Sequence, residues 1–207
     1  MSQEPRLLLV EGVDDKHVVW AFLQGHEFEP HFVVVDEGGY ETLMKRLRVR
    51  LKPGTDLERL GIIVDADADL ASRWASVKLV LEKAGYSGLP ARPDRAGTVV
   101  PHEFLPRLGI WIMPDNTLPG MLEDFLAMLV PPGDTLLDRA KLSLSQIPAG
   151  ERRFADQHYC KALIHTWLAW QDDPGTPLGQ AITKRYFETE NAPATEFLGW
   201  LTRLFAE

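Results

Sequence analysis

Two apolar runs of the chain end in carboxylates. Leu7-Leu8-Leu9-Val10 leads into Glu11-Gly12, and Gly61-Ile62-Ile63-Val64 leads into Asp65, with Asp67 and Asp69 following at alternate positions. Carboxylates gathered in one place repel each other unless a cation lies between them, and hard oxygen donors are what Mg²⁺ selects. The chemistry this pattern points to is a divalent-metal site. A calcium loop of the EF-hand type would require Gly and Glu at the sixth and twelfth positions counted from Asp65; the chain has Leu70 and Ser76 there, which excludes it. The aspartate triplet taken alone also reads as the cap of the next helix, since Asp is a favoured N-cap and complements the helix dipole.

The elements that would position these acids alternate along the chain. RLLLVEG at residues 6–12 is followed by DDKHVVWAFLQG with apolar positions at helical spacing, HFVVVDEGG by YETLMKRLRVRLK, and RLGIIVDADAD by ASRWASVKLVLEKAG. Strands apolar on both faces, each followed by a helix, predict an α/β fold: a Rossmann-like, mainly parallel sheet with helices on both faces. GTVVPHEFLPRLGIWIMPDN reads as two further short strands, and MLEDFLAMLV as an apolar helix stopped by Pro131-Pro132-Gly133. Beyond residue 134 the strand signal disappears. DTLLDRAKLSLSQI, QHYCKALIHTWLAW and the segments after Pro177 and Pro193 read as helices, so the expected division is an α/β domain over 1–133 and a helical C-terminal appendage over 134–207 packed on it. Trp167, Trp170 and Trp200 fall in apolar periodic stretches and are expected to pack that appendage. In an open parallel sheet ligands bind beyond the carboxyl ends of the strands, where Glu11 and Asp65 stand.

The combination of Glu-Gly after the first strand, an acid four residues later at Asp15, and Asp-x-Asp after a later hydrophobic strand resembles the TOPRIM fold. That fold is shared by topoisomerases, primases, small ribosomal-RNA maturation nucleases and the OLD (overcoming lysogenization defect) nucleases. The resemblance covers roughly residues 6–130. It implies Glu11, Asp65 and Asp67 as ligands of Mg²⁺ or Mn²⁺, with Asp15 and, at the start of a later helix, Glu123 completing the set. It also implies catalytic roles for Glu11 and for a downstream lysine, for which Lys161 in Tyr159-Cys160-Lys161-Ala162 is the candidate. Asp69, Lys16 and Gly12 stand as accessory residues of the same site. The layout, including MPDN before LEDFL and KALIHTWLAW near the end, is similar to small bacterial TOPRIM-related proteins. A haloacid-dehalogenase-like phosphatase also places Asp-x-Asp after a strand, but with Thr or Val where this chain has Asp69, and near the N-terminus. No GxxxxGK[ST] motif is present, so the ATPase partner of OLD nucleases is missing from this sequence.

The expected function is a Mg²⁺-dependent nuclease or nucleotidyl-transfer enzyme acting on DNA or RNA. The alternative is a catalytically weak TOPRIM-like binding or regulatory module in a defence or signalling system. A formal net charge of −8 stands against broad nucleic-acid affinity, although cations cluster at Lys45, Arg46, Arg48, Arg50 and Lys52 and at Arg152-Arg153; solvated helix faces are the other reading of these runs. Lys16 and His17 lie at a helix start, where free backbone N–H groups bind phosphate, or are ordinary first-turn residues. His158 and His165 lack a third soft ligand for zinc. The single cysteine, Cys160, excludes an internal disulfide and fits a reducing cytoplasm, and no run approaches the roughly 20 apolar residues that span a bilayer. The apolar surface of the helical tail is compatible with a dimer.

Overall fold

Each apolar run forms a strand in the computed structural model, which describes residues 5–29, 31–52 and 54–206. The strands are β1 (Arg6–Val10), β2 (Val33–Asp36), β3 (Arg59–Asp65), β4 (Thr98–Val100) and β5 (Arg107–Met113), in one sheet ordered β2-β1-β3-β5-β4. β1 pairs in parallel with β2 and β3, and β3 with β5. β4 lies antiparallel on β5 at the edge. The segment 101–106 that joins them is too short for the crossover a parallel pair needs.

Helices α1 (Val13–Gly25), α2 (Tyr40–Arg50) and α3 (Leu70–Ala84) follow the first three strands. α4 (Leu122–Ala127) follows β5 and is shorter than its apolar run. Its chain tightens into i→i+3 bonds, Leu129 N–H to Leu126 O at 3.0 Å and Val130 N–H to Ala127 O at 3.4 Å, ahead of Pro131. Then come α5 (Thr135–Ser145), a 3₁₀ turn at Asp156–His158, α6 (Tyr159–Leu168), α7 (Leu178–Thr183) and α8 (Ala192–Phe205). Pro193 sits in the first turn of α8, where its missing N–H costs nothing, and the Asn191 side chain caps that turn through Ala194 N–H at 3.2 Å.

Alternation along the strands divides the core in two. Leu7 and Leu9 of β1, with Leu60, Ile62 and Val64 of β3 and Leu108, Ile110 and Ile112 of β5, face Leu43 and Leu47 of α2 and Trp74, Val77 and Leu81 of α3. Leu8, Val10, Ile63, Trp111 and Met113 face the other way, onto α1, α4 and the C-terminal helices. The fold is therefore α/β, a mostly parallel sheet with helices on both faces and a C-terminal helix laid on it. α8 lies close to β3 and β5 because two glycines, Gly61 and Gly109, are partners in register. A Cβ on Gly109 would stand 2.4 Å from Leu204 Cδ2 of α8, and one on Gly61 2.9 Å from the same atom.

Trp167 and Trp200 are fully buried in the α1-side core, and Trp200 Nε1 donates to Thr98 O at 3.3 Å. Trp170 departs from the expectation. α6 ends at Leu168, Trp170 falls in the turn after it, and 41% of its surface is exposed. No helix among the described residues is long and apolar enough to cross a membrane.

Candidate functional site

Glu11 stands where β1 passes into α1, and its Oε1 accepts the Asp65 N–H at 2.9 Å, tying the end of β1 to the end of β3. The Glu11 carbonyl accepts Gly39 N–H at 2.7 Å, which draws the Gly38-Gly39 turn ahead of α2 to the same end of the sheet. Both glycines have positive φ, 73° and 110°, a conformation that other residues rarely adopt. Asp15 lies in the first turn of α1, buried, its carboxylate accepting Gly12 N–H at 3.1 Å.

Asp65 closes β3, and its Oδ1 accepts the N–H of Leu122, the first residue of α4, at 3.1 Å. Two residues on, Asp67 and Gly120 exchange a pair of backbone hydrogen bonds, both 2.8 Å. Gly120 has φ 140°, and a Cβ there would meet the Asp124 carboxylate at 2.8 Å, so the turn that delivers α4 to the end of β3 requires glycine. Glu123 is thereby carried, 3% exposed, to the strand ends. α6 packs against α4, with Cys160 Sγ 3.4 Å from the Glu123 carbonyl, and brings Lys161 Nζ to 2.9 Å from Glu123 Oε1.

The structure thus brings Glu11, Gly12, Asp15, Asp65, Glu123 and Lys161 to one open pocket of about 490 Å³. It places Asp67 and Asp69 beside it, in a second pocket of about 320 Å³ that also involves Tyr40, Ser72 and Arg73. Asp67 is ion-paired with Arg73. Asp69 caps α3, accepting Ser72 N–H at 3.1 Å and Ser72 Oγ–H at 2.6 Å, and these bonds hold its carboxyl below the usual range. Lys16 faces Asp36 at 3.6 Å. His158 and His165 are exposed, and Cys160 is a half-buried thiol whose pKa is pushed up by its partial burial and then by Asp124.

Burial pushes the Asp65 carboxyl up to about 9, and the charges of Asp15 and Glu11 add to it. Asp15 rises to about 7, again through burial and then Glu11. Glu11 is raised by burial, against which the Asp65 N–H and the Arg73 charge act. The Lys161 ammonium is stabilised above its ordinary value, mainly by its hydrogen bond to Glu123. Among the described residues, no three His, Cys, Asp or Glu side chains form a ready-made metal cage. Burial is the first cause of the raised carboxyls, and the mutual repulsion of the acids adds to it. The donor set itself, four carboxylates at the strand ends, fits a hard divalent cation.

Residues outside the sequence reading also shape the site. Asp14 and Asp36 line the acidic pocket. Asp36 closes the apolar run Val33–Val35 just as Glu11 and Asp65 close theirs, so the rule of strand-terminal acids would have found it. Glu37 is buried behind them and paired with Arg46 and, at 3.3 Å, with Arg50. Arg73, whose guanidinium lies 3.6 Å from the centre of the Tyr40 ring, carried no signal in the sequence because Tyr40 and Arg73 meet only when α2 and α3 pack side by side.

Among solved structures, the chain is similar to the C-terminal region of the OLD protein of Xanthomonas campestris pv. campestris. The form phased with iodine has 17% identity over 94% of this chain and 83% of that one, with a TM-score of 0.41. The form phased with platinum has 14% identity over 94% and 81%, with a TM-score of 0.39. No curated protein matches the chain. The family described as "Protein of unknown function (DUF3226)" matches residues 5–206, nearly the whole chain, and the chain belongs to that family.

Proposed function

We propose that the chain is a TOPRIM-type, Mg²⁺-dependent hydrolase of nucleic-acid phosphodiesters. The observation that carries this reading is the gathering of Glu11, Asp15, Asp65, Glu123 and Lys161 in one open pocket at the carboxyl end of a parallel sheet. Glu11, Asp15 and Asp65 would hold one cation; Glu123 would share a second with Asp67, whose carboxylate must then leave Arg73. Bound there, Mg²⁺ or Mn²⁺ supplies Lewis acidity toward the phosphodiester and acidifies the attacking water.

The chain's own groups supply the rest. Lys161, held charged by Glu123, offers an ammonium to the negative charge that builds on the phosphoryl oxygens. Asp15 and Asp65 keep protons that cation uptake would release. The Leu122 N–H fixes one oxygen of Asp65, so its other oxygen is left for the pocket.

The pairing of Asp67 with Arg73 favours a second reading, a module of the same fold that binds without hydrolysing much. Incubating the purified protein with labelled single- and double-stranded DNA and RNA in Mg²⁺ or Mn²⁺ separates the two. Cleavage that is lost in Asp65→Asn and in Lys161→Met supports the enzyme. Cleavage that persists in both variants rules out this site as its source.

A further inference from the structure

We infer that the solvent face of α2 is a phosphate track, along which a single strand of nucleic acid runs away from the acidic pocket. The inference rests on the reading above and names how its substrate is held. Between Glu41 and Asp56 the chain has five cations, Lys45, Arg46, Arg48, Arg50 and Lys52, and no carboxylate, in a protein whose net charge is −8. Two of the five have a structural task, since Arg46 and Arg50 pair with buried Glu37. The other three have no ion-pair partner among the described residues, and all three are exposed.

Three residues apart, Lys45 and Arg48 share one side of α2, because a helix turns about 100° per residue, and exposed Lys52 follows just past the Leu51 C-cap. Lys45 and Arg48 stand about 8 and about 12 Å along the axis from Tyr40, at the 1.5 Å rise of a helix, and Lys52 extends the run beyond the helix end. That is room for a few nucleotides.

The start of α2 joins this run to the site. Gly38 and Gly39, immediately before the helix, line the acidic pocket, and Tyr40, its first residue, lines the neighbouring one. There the Arg73 guanidinium stacks on the Tyr40 ring above a floor of small side chains, Ala66, Ala68 and Ser76. A planar cation on an aromatic ring offers a surface on which an unpaired base can stack, which favours a single strand over a duplex. An acidic site that must hold a polyanion needs positive charge beside it, and this run supplies it.

The test is fluorescence anisotropy of a short labelled single-stranded oligonucleotide of mixed sequence, titrated with the full chain in Ca²⁺ across a range of salt. It compares wild type with Lys45→Ala/Arg48→Ala/Lys52→Ala, and Mg²⁺ uptake by each protein is followed calorimetrically. The triple variant should bind at least about tenfold more weakly. The slope of log K against log salt should flatten by roughly 2, at about 0.7 for each single-strand phosphate that no longer meets a cation, with Mg²⁺ uptake unchanged. Equal affinity and slope in the two proteins overturn the inference. So does a wild type that binds no oligonucleotide, including one that binds anionic phosphatidylserine vesicles through the same three residues instead. If wild type takes up no Mg²⁺ while the oligonucleotide results hold, the metal site fails and the track stands.

Discussion

Replacing Asp65 by Asn tests the electrostatics of the site most directly. Asn has nearly the same shape, keeps an oxygen to accept the Leu122 N–H, and carries no charge. Asp65 and Asp15 are acids with folded-state pKa values raised to about 9 and about 7, well above the ordinary 3.8. An acid raised in this way holds its proton in the folded state where the unfolded chain has released it. Stability is therefore lost as pH rises from about 4 toward the folded values, the reverse of the usual carboxylate case. Each extra proton held steepens the loss by about 1.4 kcal/mol per pH unit. In chelator at pH 8 the wild type must hold on Asp65 a proton that the unfolded chain has released, so Asp65→Asn, which needs none, should be more stable by on the order of 2 kcal/mol. For a chain of this size that is roughly 4–8 °C in Tm. Added Mg²⁺ should raise the Tm of wild type increasingly as pH rises, because the cation favours the ionised carboxyls, and should leave Asp65→Asn unmoved. Thermal melts across pH 5–9 with Mg²⁺ or chelator decide it. Superimposable Tm–pH curves for the two proteins, or an equal response to Mg²⁺, would refute the reasoning.

Lys161→Met should lower any Mg²⁺-dependent cleavage by about 10²–10³, the usual loss when one preorganised charge-stabilising group is removed, while calorimetric Mg²⁺ uptake persists. Loss of Mg²⁺ uptake in that variant would mean that the lysine organises the acids instead. Glu37→Ala removes the buried acceptor of exposed Arg46 and of partly exposed Arg50 and should cost about 1.5–3 kcal/mol in urea unfolding; a cost under about 0.5 kcal/mol would show both pairs to be solvent-screened. Gly109→Val drives a side chain into Leu204 and should cost about 2–3 kcal/mol or more, seen as a lower urea midpoint. An unchanged midpoint would mean that α8 can lift off the sheet freely.

How much of this was legible beforehand depended on whether a feature is local. The strands, their mainly parallel order and the helices that follow them could be read from unbroken apolar runs and helical spacing, because a residue's burial on a strand or helix is a matter of period. Glu11 and Asp65 stood out for the same reason: they end such runs. The reversal of β4 was not predicted, although the six residues before β5 contain its cause. The ends of α4 and α6 were misjudged where apolar residues continue past the last helical turn, which is how Trp170 was assigned to the core and lies outside it.

The sequence alone determined which residue types stand at the strand ends. Only the tertiary structure decided which acids share a pocket. Glu123 and Lys161 lie far from Glu11 in the chain, and their meeting depends on the Asp67–Gly120 backbone pairing and on the seating of α6 against α4. Asp67, two residues from Asp65, is turned by its positive φ toward Arg73, a partner supplied by a helix and not by the motif. Spacing along a chain sets which way neighbouring side chains can point. The position of a distant helix sets which cation they find when they arrive.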